Sequence, residues 1–195
     1  SAIKRTPRFA IFGVCFAVSY MLVGFSQHER VELMAMEIAK SRGHSVERIE
    51  VKPTMGNLLL WRSIYESDDH FYIDAFRVGV SEAKVYQGES IKRFNPADIP
   101  QLQSDSVQAK DIKRFDFFSD GYIALHPGER PIIGDIRYSM LPTSSKPIWG
   151  IELDLTTHHE HTPSNQYHYT SHNPHQTFIA SLLAQDRLRG KQAYD

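Results

Sequence analysis

The chain has 195 residues, with 22 lysines and arginines against 23 aspartates and glutamates and a formal charge of -1. That length is enough for one sizeable domain with an appended element and argues against two full domains. A near-neutral balance lacks the basic excess that tracking a phosphate backbone requires, so no nucleic-acid partner is expected. An apolar fraction of 41% with 23% charged residues excludes wholesale disorder. Cys15 is the single cysteine, which excludes an intramolecular disulfide and a cysteine-built zinc site while leaving the redox compartment open. The opening Ser1-Ala2, without a methionine, leads us to expect a piece of a longer protein.

The stretch "FAIFGVCFAVSYMLVGF", Phe9 to Phe25, runs 17 positions without a charge behind Lys4, Arg5 and Arg8. That is the lower edge of the length of a spanning helix, roughly 17 to 25 residues. Three readings fit: a membrane helix, a signal peptide and a buried core helix. The missing polar stripe favours membrane over core, and the lack of a small-x-small site after Phe25 counts against a signal peptide. The basic flank favours a cytoplasmic start and therefore an outward, periplasmic domain. Ser26 to Glu29 has the pattern of a capping box, and Val31, Met34, Ala35 and Ile38 follow at helical spacing. Either a new helix opens at Ser26 or one long helix continues into the soluble part, and Gly43 ends it in both cases.

The rhythm then changes to that of strands. Val46 to Pro53, Asn57 to Tyr65, His70 to Val80 and Lys84 to Lys92 are the first four, joined by short turns that imply antiparallel neighbours. Asn95-Pro96 and Ile99-Pro100 mark a loop, and Val107, Ile112, Phe115 and Phe118 predict one side of a helix stopping near Gly121. Tyr122 to His126, Pro131 to Tyr138 and Ile148 to Thr156 read as three further strands. Asn173, Pro174 and Gln176 open a closing helix with Phe178, Ile179, Leu182 and Leu183 on its apolar face. The sum is α+β: an antiparallel sheet of six to seven strands with packed helices, behind a long apolar N-terminal helix. The expected division is 1–43 for that helix and its extension, 44–157 for the α+β domain, and 158–195 for a histidine-rich loop and helix.

Two stretches carry charges where burial is expected. In "KPTMGNLLLWRSI" Trp61 and Arg62 end an apolar run, and in "GDIRYS" Asp135 and Arg137 project from one strand face. A buried guanidinium must be paired, so Arg62 is expected within about 2.7 to 3.2 Å of Asp135. With Arg137 this makes a cluster carrying one surplus positive charge. It is either a covered ion-pair network or a site where Trp61, Arg62, Asp135, Arg137 and Tyr138 receive a small anionic ligand through forked donors.

"KPTMGNLLLWRSI", "FDFFSDGYIAL" and "GDIRYSMLP", in this order behind a hydrophobic helix, resemble the C-terminal half of the YdjM-like family. These are LexA-binding, inner-membrane-associated hydrolases, also described as membrane-bound metal-dependent hydrolases. The likeness runs, as ordered motifs, from about Phe9 to Asp154. It implies a bacterial inner-membrane protein whose multi-helix membrane half binds a divalent metal through histidines and aspartates outside this chain, followed by an extramembrane half like this one. The positions matching the motifs are Pro53, Asn57, Trp61 and Arg62, then Phe118, Ser119 and Gly121, then Asp135, Arg137 and Tyr138, none of them established as catalytic in the family. The function implied is that of the extramembrane half of a metal-dependent hydrolase of unknown substrate. The alternative is a non-enzymatic binding or scaffold module for a protein partner or an anionic ligand.

Six of the ten histidines lie between His158 and His175. Of these, His158, His159 and His161 are candidate metal ligands beside Glu160. Their spacing matches no strong zinc motif, and loop histidines without a ligand role are the commoner outcome in so polar a segment.

Overall fold

A computed structural model describes residues 7–54, 56–128, 131–154 and 164–166. Helix α1 runs unbroken over Pro7–Ser41, about 52 Å at 1.5 Å per residue. The Ser26 capping pattern is thus passed through and not used, because neither glycine nor proline stands between Phe25 and Ser41 to end the first segment. Its two halves differ in surroundings. Phe9, Phe12, Phe16, Met21 and Phe25 are exposed, while Val31, Ala35 and Ala39, spaced by four, are fully buried. The core-helix reading therefore fails for the apolar run and holds only for its continuation. The helix closes as expected at Gly43, whose φ is +77: the Gly43 N–H donates to Lys40 O and the His44 N–H to Ala39 O, both at 3.0 Å, a Schellman arrangement.

The α+β class holds, but the strands divide into two sheets of four. The first contains β1 (Arg48–Pro53), β2 (Leu60–Ser67), β3 (His70–Val78) and β4 (Ala83–Lys92) in that order, all antiparallel. The second contains β5 (Ile123–His126), β6 (Ile132–Asp135), β7 (Trp149–Glu152) and β8 (Ser164–Gln166), again antiparallel. Between them lie a 3-10 turn, Pro96–Asp98, and helix α2, Val107–Phe118. That excursion breaks the ladder, and along the strand edges the sheets are joined by an isolated bridge between Arg93 and Ala124 and a bond from the Phe94 N–H to Ile123 O. Strand β6 stops at Asp135, short of the expected Tyr138, because the Asp135 carboxylate takes the Arg137 N–H at 3.0 Å and turns the chain locally. The expected closing helix after Asn173 and the end of the expected strand at Thr156 fall outside the described residues.

Period-two alternation gives the first sheet two buried faces. Val51, Trp61, Phe76 and Val78 pack against Val31 and Ala35 of α1. Ile64, Phe71 and Ile73 pack on the other side against Tyr122, Ala124 and Ile136. Beyond, Ile112 and Phe115 of α2 join Ile123, Ile133 and Ile151. The layers are therefore α1, first sheet, second sheet, α2. Phe118, expected on the apolar side of α2, is exposed beside Phe117. The chain leaves the helix at Ser119 and turns through Asp120 and Gly121, both at positive φ, so the packed stretch ends at Phe115.

Candidate functional site

The three stretches noted in the sequence come together in space. Arg62, on the β2 face turned away from α1, is 6% exposed. It donates from Nη1 to Leu141 O at 3.0 Å and Pro142 O at 2.9 Å, and from Nη2 to Ile136 O at 2.7 Å. The expected Arg62–Asp135 pair is not formed. Carbonyl oxygens of the chain that follows β6 satisfy the fork instead, because the turn after Asp135 brings main chain, and no carboxylate, over β2. Burial lowers the guanidinium to about 10, against the opposing field of Glu89, so it remains a cation at neutral pH.

Asp135, fully buried, is held by its own neighbour: Arg137 Nη2 reaches Oδ2 at 2.7 Å and Nε reaches Oδ1 at 3.0 Å. Arg137 also donates to Phe118 O at 3.2 Å, and its hydrogen bonds to Asp135 keep the guanidinium above the usual range. The shared face predicted for Asp135 and Arg137 thus becomes a forked ion pair that ties the third motif to the second. The surplus charge of Arg62 is not open to a ligand, since the side chain is buried and its Nη donors are taken by carbonyls. What remains open is a rim. Tyr138 is 41% exposed, with Lys52 Nζ 4.8 Å and the Arg137 guanidinium 5.6 Å from its ring. Lys52 is itself paired with Glu50 at 2.5 Å. Trp61 lies in the layer under α1, on the opposite face of β2, and donates its indole N–H to Leu58 O at 2.8 Å. It cannot share a ligand with Tyr138.

The segment held by Arg62 is held a second time from β4. Glu89 accepts from the Ser145 N–H at 2.8 Å, the Ser145 hydroxyl at 2.7 Å and the Ser144 hydroxyl at 3.2 Å. Burial pushes this carboxyl up, but the bonds from Ser145 and Ser144 outweigh it and leave Glu89 below the ordinary carboxylate range. Gly134 lets the same segment lie close, since a Cβ there would stand 2.1 Å from Pro147 Cγ. Burial drives His126 down to about 4, within the opposing fields of Glu89 and Lys146, and its Nε2 is buried without a hydrogen-bond partner. Between pH 6.5 and 4 the unfolded chain therefore binds a proton that the folded one refuses, so stability falls as pH falls through that window. We expect a loss of about 1 to 2 kcal/mol from about pH 7 to about pH 5. Urea midpoints at both values check it, and in His126→Leu the difference should shrink by that amount.

Two ion-pair groups escaped the sequence reading. Glu66, on β2, receives Arg48 Nε and, at 3.0 Å, Arg93 Nη1, and Arg48 lies 4.0 Å over the Tyr122 ring and bonds the Asp120 and Gly121 carbonyls. On the α1 side, Arg42 grips Asp74 at 2.8 and 3.0 Å and donates to the Tyr65 hydroxyl at 3.0 Å. A cleft of about 570 Å³ also went unseen. Phe94, Leu102, Ile112 and Ile123 line it together with Lys92 and Lys113. Strand alternation could have shown that Glu66 and Arg62 share a face, but no local signal joins five separated segments into a cleft.

Nothing among the described residues fits the divalent metal that the resemblance implies: no three His, Cys, Asp or Glu side chains gather to hold an ion. His158, His159 and His161 lie outside the described residues. No protein-family model, no curated protein and no solved structure matches the chain.

Proposed function

We propose that this chain is the extramembrane α+β part of a bacterial inner-membrane protein, carried on the apolar half of α1, and that the domain is a non-enzymatic binding module. The observation that carries this is the contrast along one helix. Of the 17 uncharged residues Phe9 to Phe25, all but the half-buried Gly24 are exposed, with none of the apolar window buried, and the same helix then enters the core at Val31. A soluble surface does not leave such a cylinder in water. The charged residues singled out in the sequence support a non-enzymatic reading, because the Nη groups of Arg62 and the Asp135–Arg137 pair serve the fold. The Tyr138, Lys52 and Arg137 rim is left for a protein partner or an anionic ligand. Alkaline carbonate extraction of membranes from cells expressing the chain tests the anchor. The chain should stay with the pellet, and Cys15→Arg with Val18→Arg should release it, each arginine at mid-helix opposing insertion by about 2.5 to 3.5 kcal/mol. Release of the unaltered chain would remove the basis of the proposal.

The three ordered motifs favour a second reading, in which the whole protein is a membrane-bound metal-dependent hydrolase and this half only helps to hold an anionic substrate. A hydrolase screen of the membrane-embedded protein with and without a chelator separates the two. Chelator-sensitive turnover would displace the binding-module reading.

A further inference from the structure

The first sheet does not hang from α1 at an arbitrary height. At one end of that sheet Leu58 packs on Gly24, where an added Cβ would stand 3.5 Å from Leu58 Cδ2, and the His28 ring lies edge-on to Trp61 at 6.0 Å. Arg30 donates to Gly79 O at 3.0 Å and to Val80 O at 3.3 Å. The β1–β2 loop and the β3–β4 turn are joined to each other, the Val78 N–H donating to Leu59 O at 2.7 Å. Three helix residues, Gly24, His28 and Arg30, thus fix one end of the sheet beside the point where the apolar run finishes.

At this end the chain shows two large apolar side chains to solvent: Leu59 is 58% exposed and Val80, at the tip of its turn, wholly so. Their depth follows from the helix. Gly24 belongs to the last turn of the uncharged run, and Arg30 stands five residues past Phe25, about 7.5 Å along the axis. The headgroup layer adds roughly 5 to 8 Å on each side of the hydrocarbon. Side chains tethered at Gly24 and Arg30 therefore lie within that layer whenever Phe9 to Phe25 fills the hydrocarbon. The opposite end of the sheet, with the β2–β3 turn at Asp68 and Asp69 and the cleft beside it, points away from the bilayer.

We infer that Leu59 and Val80 form a membrane seat, two apolar tips that enter the lipid interface beside α1 and hold the domain at one height and tilt. The inference rests on the proposed anchoring by α1. The occupant is the bilayer itself. Arg30, Arg77 and Lys84 are offset at this end by Glu29, Glu32 and Glu82, so the contact is apolar and indifferent to salt.

The test uses the full chain with Cys15→Ala, reconstituted in vesicles of equal parts phosphatidylcholine and phosphatidylglycerol, with single cysteines at Leu59→Cys, Val80→Cys and, on α2, Lys110→Cys. Each is labelled with an environment-sensitive fluorophore. Labels at 59 and 80 should emit to the blue of the label at 110, and lipids with a nitroxide near the headgroup end of the acyl chain should quench them, in low and high salt alike. If all three labels behave alike while the chain resists carbonate, the anchor stands and the seat falls. A blue shift that the nitroxide lipids do not quench would mean that protein, such as a second copy, covers the tips, and would overturn the inference. If carbonate strips the chain from the vesicles, the anchor and the seat both fall.

Discussion

Replacing Arg62 by alanine is expected to cost the fold about 3 to 5 kcal/mol, which for a chain of this size lowers Tm by roughly 6 to 20 °C. Two effects oppose each other at this position. Burying a guanidinium without a carboxylate is unfavourable, as its lowered pKa indicates, and its Nε is buried without a partner, so removing the charge brings some relief. Against that, the carbonyls of Ile136 and Pro142 lose their donor while Leu141 O keeps the Ser144 N–H at 3.1 Å, and each orphaned acceptor costs about 1 to 3 kcal/mol. Two orphaned acceptors and the lost packing of the stem outweigh one poorly solvated cation. The comparison that isolates the clamp is Arg62→Met, which keeps the apolar stem and drops only the fork. It should still be destabilised by about 2 kcal/mol or more. Thermal unfolding followed by tryptophan fluorescence reads this directly, because Trp61 adjoins the site in sequence and Trp149 lies in the second sheet. A methionine variant as stable as the parent would show that the segment after β6 does not depend on Arg62.

This also locates what the sequence could and could not reveal. Most of the element order was legible, because strand alternation and the Gly43 stop are local properties: the four strands of the first sheet fall close to their expected bounds. That Arg62 needed partners was legible too, since the cost of an unpaired buried charge depends on nothing distant. Which partners it found was not. Acceptors for Arg62 could come from a carboxylate or from main-chain carbonyls, and the choice was made by a turn at Asp135 that no hydrophobic pattern marks. The splitting of one sheet into two was hidden for the same reason: the bridge between Arg93 and Ala124 joins residues 31 apart in the chain. Residues that match the family motifs, Asn57, Arg62, Gly121, Asp135 and Arg137 among them, have architectural uses here. Asn57, for instance, accepts from the Leu59 and Leu60 N–H groups.

The pairing of Arg42 with Asp74 should be as consequential as the Arg62 clamp, and it tests whether α1 and the domain behave as one body. Arg42 stands at the C-terminal end of α1, where a cation is favoured by the helix dipole, and its fork closes on a carboxylate only 1% exposed in the middle of β3. The two partners are not equivalent. In Asp74→Asn the guanidinium, 23% exposed, can turn to water, and a loss of about 2 kcal/mol is expected. In Arg42→Ala a buried carboxylate is left with only the Gly88 N–H at 3.3 Å, and the loss should reach about 3 to 5 kcal/mol. The double variant removes the stranded charge along with its partner, so it should be less harmful than the sum of the single changes by about 1 to 3 kcal/mol. Urea unfolding of the four proteins in the same detergent measures that coupling. Strict additivity would mean that the ion pair adds nothing to the packing and the other hydrogen bonds that join the helix to the sheet. A coupling of the expected size means that α1 cannot tilt against the sheet without straining β3, which is what the proposed seating of the domain on a bilayer requires.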